Sequence, residues 1–268
     1  MKVVVLQQFV GKGYLTHSNI LTNSSNNHYE NNRGYRDTQV VLKKCMKSVK
    51  NWCDKHGYEY ILNTKDLGWN YFNPAWEKMG FAPSPDREMD FASQRYQLFQ
   101  DIDADYIVWL DIDTWIYKDF ALPKIEYIGI IANTASLMPE NRLWKGVQHI
   151  QYLRRTYFED IPYPNTGVQF ITRKGKDHYG KWVVDSIKSD NWPIMWDSTD
   201  QAHMYAYIKQ FPERIKWLDT KYNTIQGRYL AMSREDIRKA YIIHNTGSNK
   251  QNSIDKLPPD MQEEFNKL

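Results

Sequence analysis

Asp111 and Asp113 follow directly on the apolar run Tyr106-Ile-Val-Trp-Leu110, and that placement determines what the pair could do. An uninterrupted apolar run predicts a strand covered on both faces, in the manner of a parallel sheet. Residues two apart on a strand project to one side, so both carboxylates are expected to face one site. Two anions held that close repel each other unless a cation lies between them. Such oxygen ligands suit Mg²⁺ or Mn²⁺, and Mn²⁺ also accepts an imidazole. In open α/β sheets ligands bind beyond the carboxyl ends of the strands, where this pair would stand.

The elements that must position the pair alternate between strand and helix. Residues 2–9 read as a first strand, and residues 35–56 carry Val40, Val41, Cys45, Val49, Trp52 and Cys53 at helical spacing before Gly57 stops the helix. Residues 58–62 read as a second strand, and a helix over 91–101 leads into the carboxylate strand. Tyr127-Ile-Gly-Ile-Ile131 is a further apolar run. The second half predicts a helix over 143–158, a turn at Pro162-Tyr-Pro-Asn165 and a strand over 167–171. It continues with helices over 176–189 and 200–210 and short strands over 215–218 and 241–244. The pattern is that of an α/β fold, a mainly parallel sheet flanked by helices. Residues 16–32 hold six Asn and predict a long polar loop, residues 67–86 an irregular stretch, and residues 251–268 a polar tail over the surface.

A chain of 268 residues with 41% hydrophobic residues supports one core, and a single domain is expected. The balance of 35 basic against 32 acidic residues argues against nucleic acid or an anionic membrane as partner. Ten Trp and nineteen Tyr supply flat aromatic faces with polar edges, which suit sugars and bases. Cys45 and Cys53 would sit on one helix, roughly 12 Å apart, too far to bridge. With no disulfide framework a reducing, cytoplasmic compartment is expected. The opening strand is too short for a signal peptide's apolar core. No apolar run approaches ~20 residues, so no transmembrane segment is expected.

Five segments, taken in order, resemble the GT-A nucleotide-sugar glycosyltransferases, above all the retaining branches with glycogenin, the bacterial lipopolysaccharide galactosyltransferases and the fungal galactosyl/mannosyltransferases. They are Ser93-Gln-Arg95, Trp109-Leu-Asp-Ile-Asp113, Asn165-Thr-Gly-Val-Gln-Phe170, Asp200-Gln201 and His244-Asn-Thr-Gly247-Ser-Asn-Lys250. The resemblance implies a GT-A fold, a Rossmann-like mixed, mainly parallel sheet flanked by helices, with a nucleotide-binding half over 1–120 and an acceptor half over 121–250. It implies a metal, Mn²⁺ or Mg²⁺, held by Asp111, Asp113 and His244. It places Gln7, Tyr14, Arg95, Asp111, Asn165, Gly247 and Lys250 at the donor, a UDP- or GDP-sugar, with Tyr14 as a stacking partner for the base. Asp200 and Gln201 would stand nearest the reacting carbon, and Trp192 and Trp196 would stack on a glycan or glycoconjugate acceptor. Where those families follow the acidic-Gln pair with another acid, this chain has Ala202-His203.

Two other readings compete. Leu110-Asp-Ile-Asp-Thr114 also resembles the nucleophile motif of haloacid-dehalogenase-type phosphatases, which need a downstream lysine and an acidic pair. A non-catalytic carbohydrate-binding protein on the same scaffold is the third. Taken singly, His244 and Gly247 fit a strand end and a turn, and Asn165 and Asp200 fit a turn and a helix start. The ordered set is what points to sugar transfer.

Overall fold

The computed structural model describes residues 1–9, 33–65, 95, 98–132, 161–188, 200–225, 233–245 and 250–268. The expected loop over 16–32, the irregular stretch over 67–86 and the helix over 143–158 lie outside the described residues.

Six strands form one sheet: β1 (Val3–Gln8), β2 (Glu59–Asn63), β3 (Tyr106–Leu110), β5 (Ile128–Ala132), β6 (Pro164–Thr172) and β7 (Ile215–Leu218), in the order β2-β1-β3-β6-β5-β7. A second, three-stranded sheet joins β4 (Thr114–Ile116), β9 (Ile242–His244) and β8 (Thr224–Ile225), with β9 in the middle. Helix α1 (Arg33–His56) connects β1 to β2, which run parallel, and β1 is also parallel to β3. The unit expected from the first 62 residues is therefore present. Gly57, at φ 67°, ends α1 in the left-handed conformation while Tyr58 N–H donates back to Cys53 O at 2.9 Å.

Alternation along the strands divides two apolar layers. Val3, Val5, Tyr106, Val108 and Leu110 pack with Val49, Trp52 and Cys53 of α1. On the other face Val4, Leu6, Ile107 and Trp109 pack with Val183 of α2 (Lys181–Lys188) and with Met204, Tyr207 and Ile208 of α3 (Asp200–Gln210). All five residues of β3 are buried, as its apolar run predicts. Val40 differs from its neighbours on α1: the helical stripe runs through Val41, Cys45 and Val49, and Val40 is left exposed. Cys45 and Cys53 are buried thiols, neither in a disulfide.

The sheet is mixed where β6 enters. β3 is parallel to β1 but antiparallel to β6, and β6 is antiparallel to β5. An apolar run reports burial of both faces and not the direction of the neighbour. The turn expected at 162–165 is corrected, because Pro164 and Asn165 open β6. Between Ile130↔Gln169 and Ile131↔Asn165 the register slips, so Thr166, Gly167 and Val168 form a bulge relative to β5. Turn-forming residues here bend a strand. The helix expected over 176–189 begins earlier, at Arg173–Gly175, where Thr172 Oγ1 caps Gly175 N–H, and passes through a π turn at Lys176–Gly180 before α2.

Residues 251–268 are not a surface tail. They form α4 (Lys250–Asp255) and α5 (Pro259–Lys267), whose Ile254, Leu257, Met261 and Phe265 are buried against Val41, Cys45, Trp115 and Ile243. The 3-4-4 spacing of those four residues is a helical stripe that the surrounding polar residues obscure. Lys44 Nζ adds a bond to Phe265 O at 3.2 Å, and the Trp115 and Phe265 rings meet edge to face at 5.1 Å. Leu257→Ala is expected to lower stability by about 2 kcal/mol or more, read as a lower urea midpoint. A midpoint equal to wild type would mean that the segment does not carry core. Among the described residues no helix is long and apolar enough to cross a membrane.

Candidate functional site

β3 stops at Leu110, and the two carboxylates stand in the tight turn into β4. Thr114 closes that turn, its N–H and Oγ1 donating to Asp111 O at 3.0 and 2.7 Å. Asp111 and Asp113 therefore share a direction because of a turn, a correction to the strand alternation expected for them. Three further anchors hold it. Asp111 N–H donates to Gly167 O at 2.7 Å, Gln7 Nε2 donates to Asp111 O at 3.1 Å, and Asn245 donates from both its backbone N–H (3.0 Å) and Nδ2 (3.1 Å) to Asp113 O. Gln7, expected at the donor, is fully buried. Tyr60 OH donates to its Oε1 at 2.8 Å, so the amide supports the carboxylate turn.

β4 carries the chain beside β9, where Thr114 pairs with His244. The His244 ring, only 4% exposed, then lies with Nε2 3.2 Å from Asp113 Oδ1 and 3.6 Å from Asp111 Oδ2. Ligand atoms of the three residues all fall within 4.8 Å of one another. Asp113 is buried and Asp111 about a third exposed, so the cluster opens to solvent on the Asp111 side. Two carboxylates and an imidazole nitrogen on one small space are a fitting donor set for Mn²⁺. His244 comes this close because Gly167 has no side chain: a Cβ there would lie 2.1 Å from His244 Cε1 and 2.8 Å from Asp111 Oδ2.

Arg95 lies on the other side of Asp111. Its guanidinium stacks over the Trp109 ring at 4.4 Å, donates through Nη1 to Thr166 O at 3.1 Å and stands 3.7 Å from Asp111 Oδ1. Trp109 Nε1 donates to that same Oδ1 at 3.0 Å. Arg95 is expected here from the sequence, whereas Trp109 reads there only as the buried strand residue that opens the Trp109-Leu-Asp-Ile-Asp113 segment. Asn165, also buried, uses Oδ1 to accept from Gly167 N–H at 3.0 Å and from Asn223 Nδ2 at 2.7 Å. Asn223 Oδ1 in turn faces His244 Nδ1 at 3.1 Å. No motif marks Asn223, which follows the one-turn 3-10 helix Thr220–Tyr222.

The other expected site residues are described only in part. Asp200 and Lys250 are the first residues of α3 and α4. Gln201 is half-buried in the first turn of α3. Tyr14, Trp192, Trp196 and Gly247 lie outside the described residues. Two positions after Gln201, His203 is fully buried, and burial, with the positive charge of Arg95, pushes its pKa down to about 3 from the ordinary 6.5. A folded value below the unfolded one means that the neutral ring's contribution is complete above pH 6.5 and is lost as pH falls toward 3. Stability is expected to fall by about 1.4 kcal/mol per pH unit through that window on account of this group. Urea unfolding at pH 7 and pH 5 should show a shallower loss for His203→Gln than for wild type; parallel losses would contradict it.

Arg95 and His244, and not a lysine with a second acidic pair, stand at the two carboxylates among the described residues, unlike the arrangement a haloacid-dehalogenase-type phosphatase needs. No protein-family model and no curated protein matches the chain. Solved structures do. A glycosyltransferase involved in the glycosylation of the major capsid of PBCV-1 is similar over 100% of both chains at 15% identity, with a TM-score of 0.55. The galactosyltransferase LgtC, solved in complex with donor and acceptor sugar analogs, is similar over 100% of this chain and 96% of its own at 14% identity, with a TM-score of 0.50. The chain has the GT-A fold of these glycosyltransferases, with Asp111-x-Asp113 and His244 gathered where its central strand ends.

Proposed function

We propose that the protein is a divalent-metal-dependent glycosyltransferase that moves a hexosyl group from a UDP- or GDP-sugar to a hydroxyl of a glycan or glycoconjugate, with retention at the anomeric carbon. The observation that carries this reading is the convergence of Asp111 and Asp113, from the turn after β3, with His244 of β9 on one open-sided point beside Arg95 in a GT-A fold. Asp111, Asp113 and His244 would hold the ion, and a bound Mn²⁺ or Mg²⁺ supplies a Lewis acid for a departing diphosphate.

The remaining roles belong to the chain's own groups. Negative charge grows on the diphosphate as its bond to the sugar breaks, and a positive charge fixed in place stabilises it without reorganisation. Arg95 is such a charge, held by the Trp109 face and the Thr166 carbonyl. Lys250 adds a second, and Gly247 lets backbone approach the phosphates. Asp200 and Gln201 orient the donor sugar and acceptor hydroxyl, Tyr14 stacks on the base, and Trp192 and Trp196 receive the acceptor. Asn165, whose Oδ1 is engaged within the protein, has its Nδ2 left for the donor.

Thermal shift across a panel of sugar nucleotides with Mn²⁺ present tests the reading, because a specific ligand stabilises by mass action. One or a few donors should raise Tm, and those donors should release nucleoside diphosphate when acceptor is added. Glycan binding with no response to any sugar nucleotide would replace this reading with that of a carbohydrate-binding protein on the same fold.

A further inference from the structure

His244 has two ring nitrogens, and only one of them can face the carboxylates. Which nitrogen carries the proton decides whether the other can bind a cation, since a protonated nitrogen has no lone pair to offer. The buried groups behind the ring settle that choice through a fixed order of donors. Gly167 N–H can only donate, so the Asn165 atom 3.0 Å away is its carbonyl oxygen. That oxygen has a second lone pair and receives Asn223 at 2.7 Å, so the Asn223 group pointing at it is the NH₂. The Asn223 oxygen must then point the other way, at His244 Nδ1, 3.1 Å off. An oxygen there requires a hydrogen on Nδ1.

We propose that Asn223, oriented by Asn165 and the Gly167 amide, is a positioning residue that holds His244 as the Nδ1–H tautomer and so presents Nε2 as a bare ligand nitrogen to the ion between Asp111 and Asp113. The order of donors runs from a backbone amide and depends on no choice of amide orientation at either asparagine. Every member except Asp111 is buried: Asn223 fully, Asn165, Asp113 and His244 nearly so, so water does not compete for these bonds. Removing the Asn223 oxygen takes from the ring the acceptor that faces Nδ1. Partners of this kind behind a metal-bound histidine change metal affinity by about 10- to 100-fold. The inference rests on the metal reading above and deepens it with a residue that touches neither the ion nor a substrate.

The test uses Mn²⁺ titration calorimetry on the full chain as wild type, Asn223→Leu, His244→Ala and the double variant. Leucine keeps the branched four-heavy-atom skeleton of asparagine and lacks the oxygen. Asn223→Leu is expected to weaken Mn²⁺ binding about 10- to 100-fold, and the double variant to bind as His244→Ala does, because Asn223 acts only through the histidine. Binding by Asn223→Leu equal to wild type, or an equal loss with and without His244, overturns the inference alone. Absence of Mn²⁺ binding by the wild type removes the metal reading and this inference with it. Should Asn223→Leu fail to fold, nitrogen-15 NMR of the wild-type imidazole with saturating Mg²⁺ decides. A proton on Nδ1 and a bare Nε2 are expected; a proton on Nε2 with Nδ1 bare overturns the assignment.

Discussion

Asp113→Ala should lose turnover by about 100- to 1000-fold, or ~3–4 kcal/mol of transition-state stabilisation, the scale on which a single preorganised electrostatic group acts in an active site. The same variant should lose the rise in Tm that Mn²⁺ gives the wild type, and chelation of the wild type should reproduce the kinetic loss. Its fold should survive. Asp113 is held in place through its backbone carbonyl, which receives two bonds from Asn245, and neither depends on the carboxylate. In the metal-free protein the substitution also removes one of two neighbouring like charges. The Tm without metal is therefore expected to be close to that of wild type, and one lost buried charge beside His244 sets the limit of the change. Full Mn²⁺-dependent turnover by Asp113→Ala, measured as nucleoside diphosphate release, would sink the metal assignment.

Gly167→Ala should damage the same site from behind. The added methyl would sit 2.1 Å from His244 Cε1, 2.8 Å from His244 Nδ1 and 2.8 Å from Asp111 Oδ2, closer than carbon atoms are found. Flexible side chains can give way at such contacts, but His244 is a ring on β9, paired to Thr114 and bonded to Asn223. Relief must come from moving β9 or β6, at an expected cost of about 1–3 kcal/mol. Either movement separates His244 from the carboxylates, so Mn²⁺ affinity should fall more than tenfold by about the effect of a lost second-layer partner or worse. The pairing of a urea midpoint with a Mn²⁺ titration checks this. Wild-type values in both would show that the strands adjust freely there. Gly57→Ala offers the contrast, for no atom lies within 4 Å of a Cβ at that position and only its positive φ is strained. It should cost about 1 kcal/mol and leave metal binding alone.

The relation between these two glycines and their sequence context shows what kind of information is legible in a chain. Gly57 closes a helical apolar stripe, and both its position and its conformation follow from the pattern around it. Gly167 was legible as part of an Asn-x-Gly segment resembling a known family, yet nothing local says that a histidine 77 positions later needs its empty space. The turn predicted at 162–165 failed for a related reason. Proline and asparagine bend backbone in turns and bulges alike, and only the pairing of β6 with β5 decides between them. The C-terminal helices are masked in the sequence because their four apolar residues stand among polar ones and only the 3-4-4 spacing marks them.

By itself the sequence determined that Tyr106 to Leu110 is a buried strand with two carboxylates after it, that Asp200–Gln210 is a helix, and that β1, α1 and β2 form one unit. Those features rest on spacing of 2 or 3.6 residues and on abrupt changes of polarity, which are properties of neighbours along the chain. The resemblance implied that His244 joins Asp111 and Asp113, and tertiary structure decided how, through the pairing of β4 with β9. Tertiary structure alone decided that Gln7 supports the turn from beneath, and that Asn223 and Asn165 stand behind the histidine. Those contacts join residues from 21 to 133 positions apart. Strand order and direction set them, and an apolar run is equally buried whichever neighbour it is given and whichever way that neighbour runs.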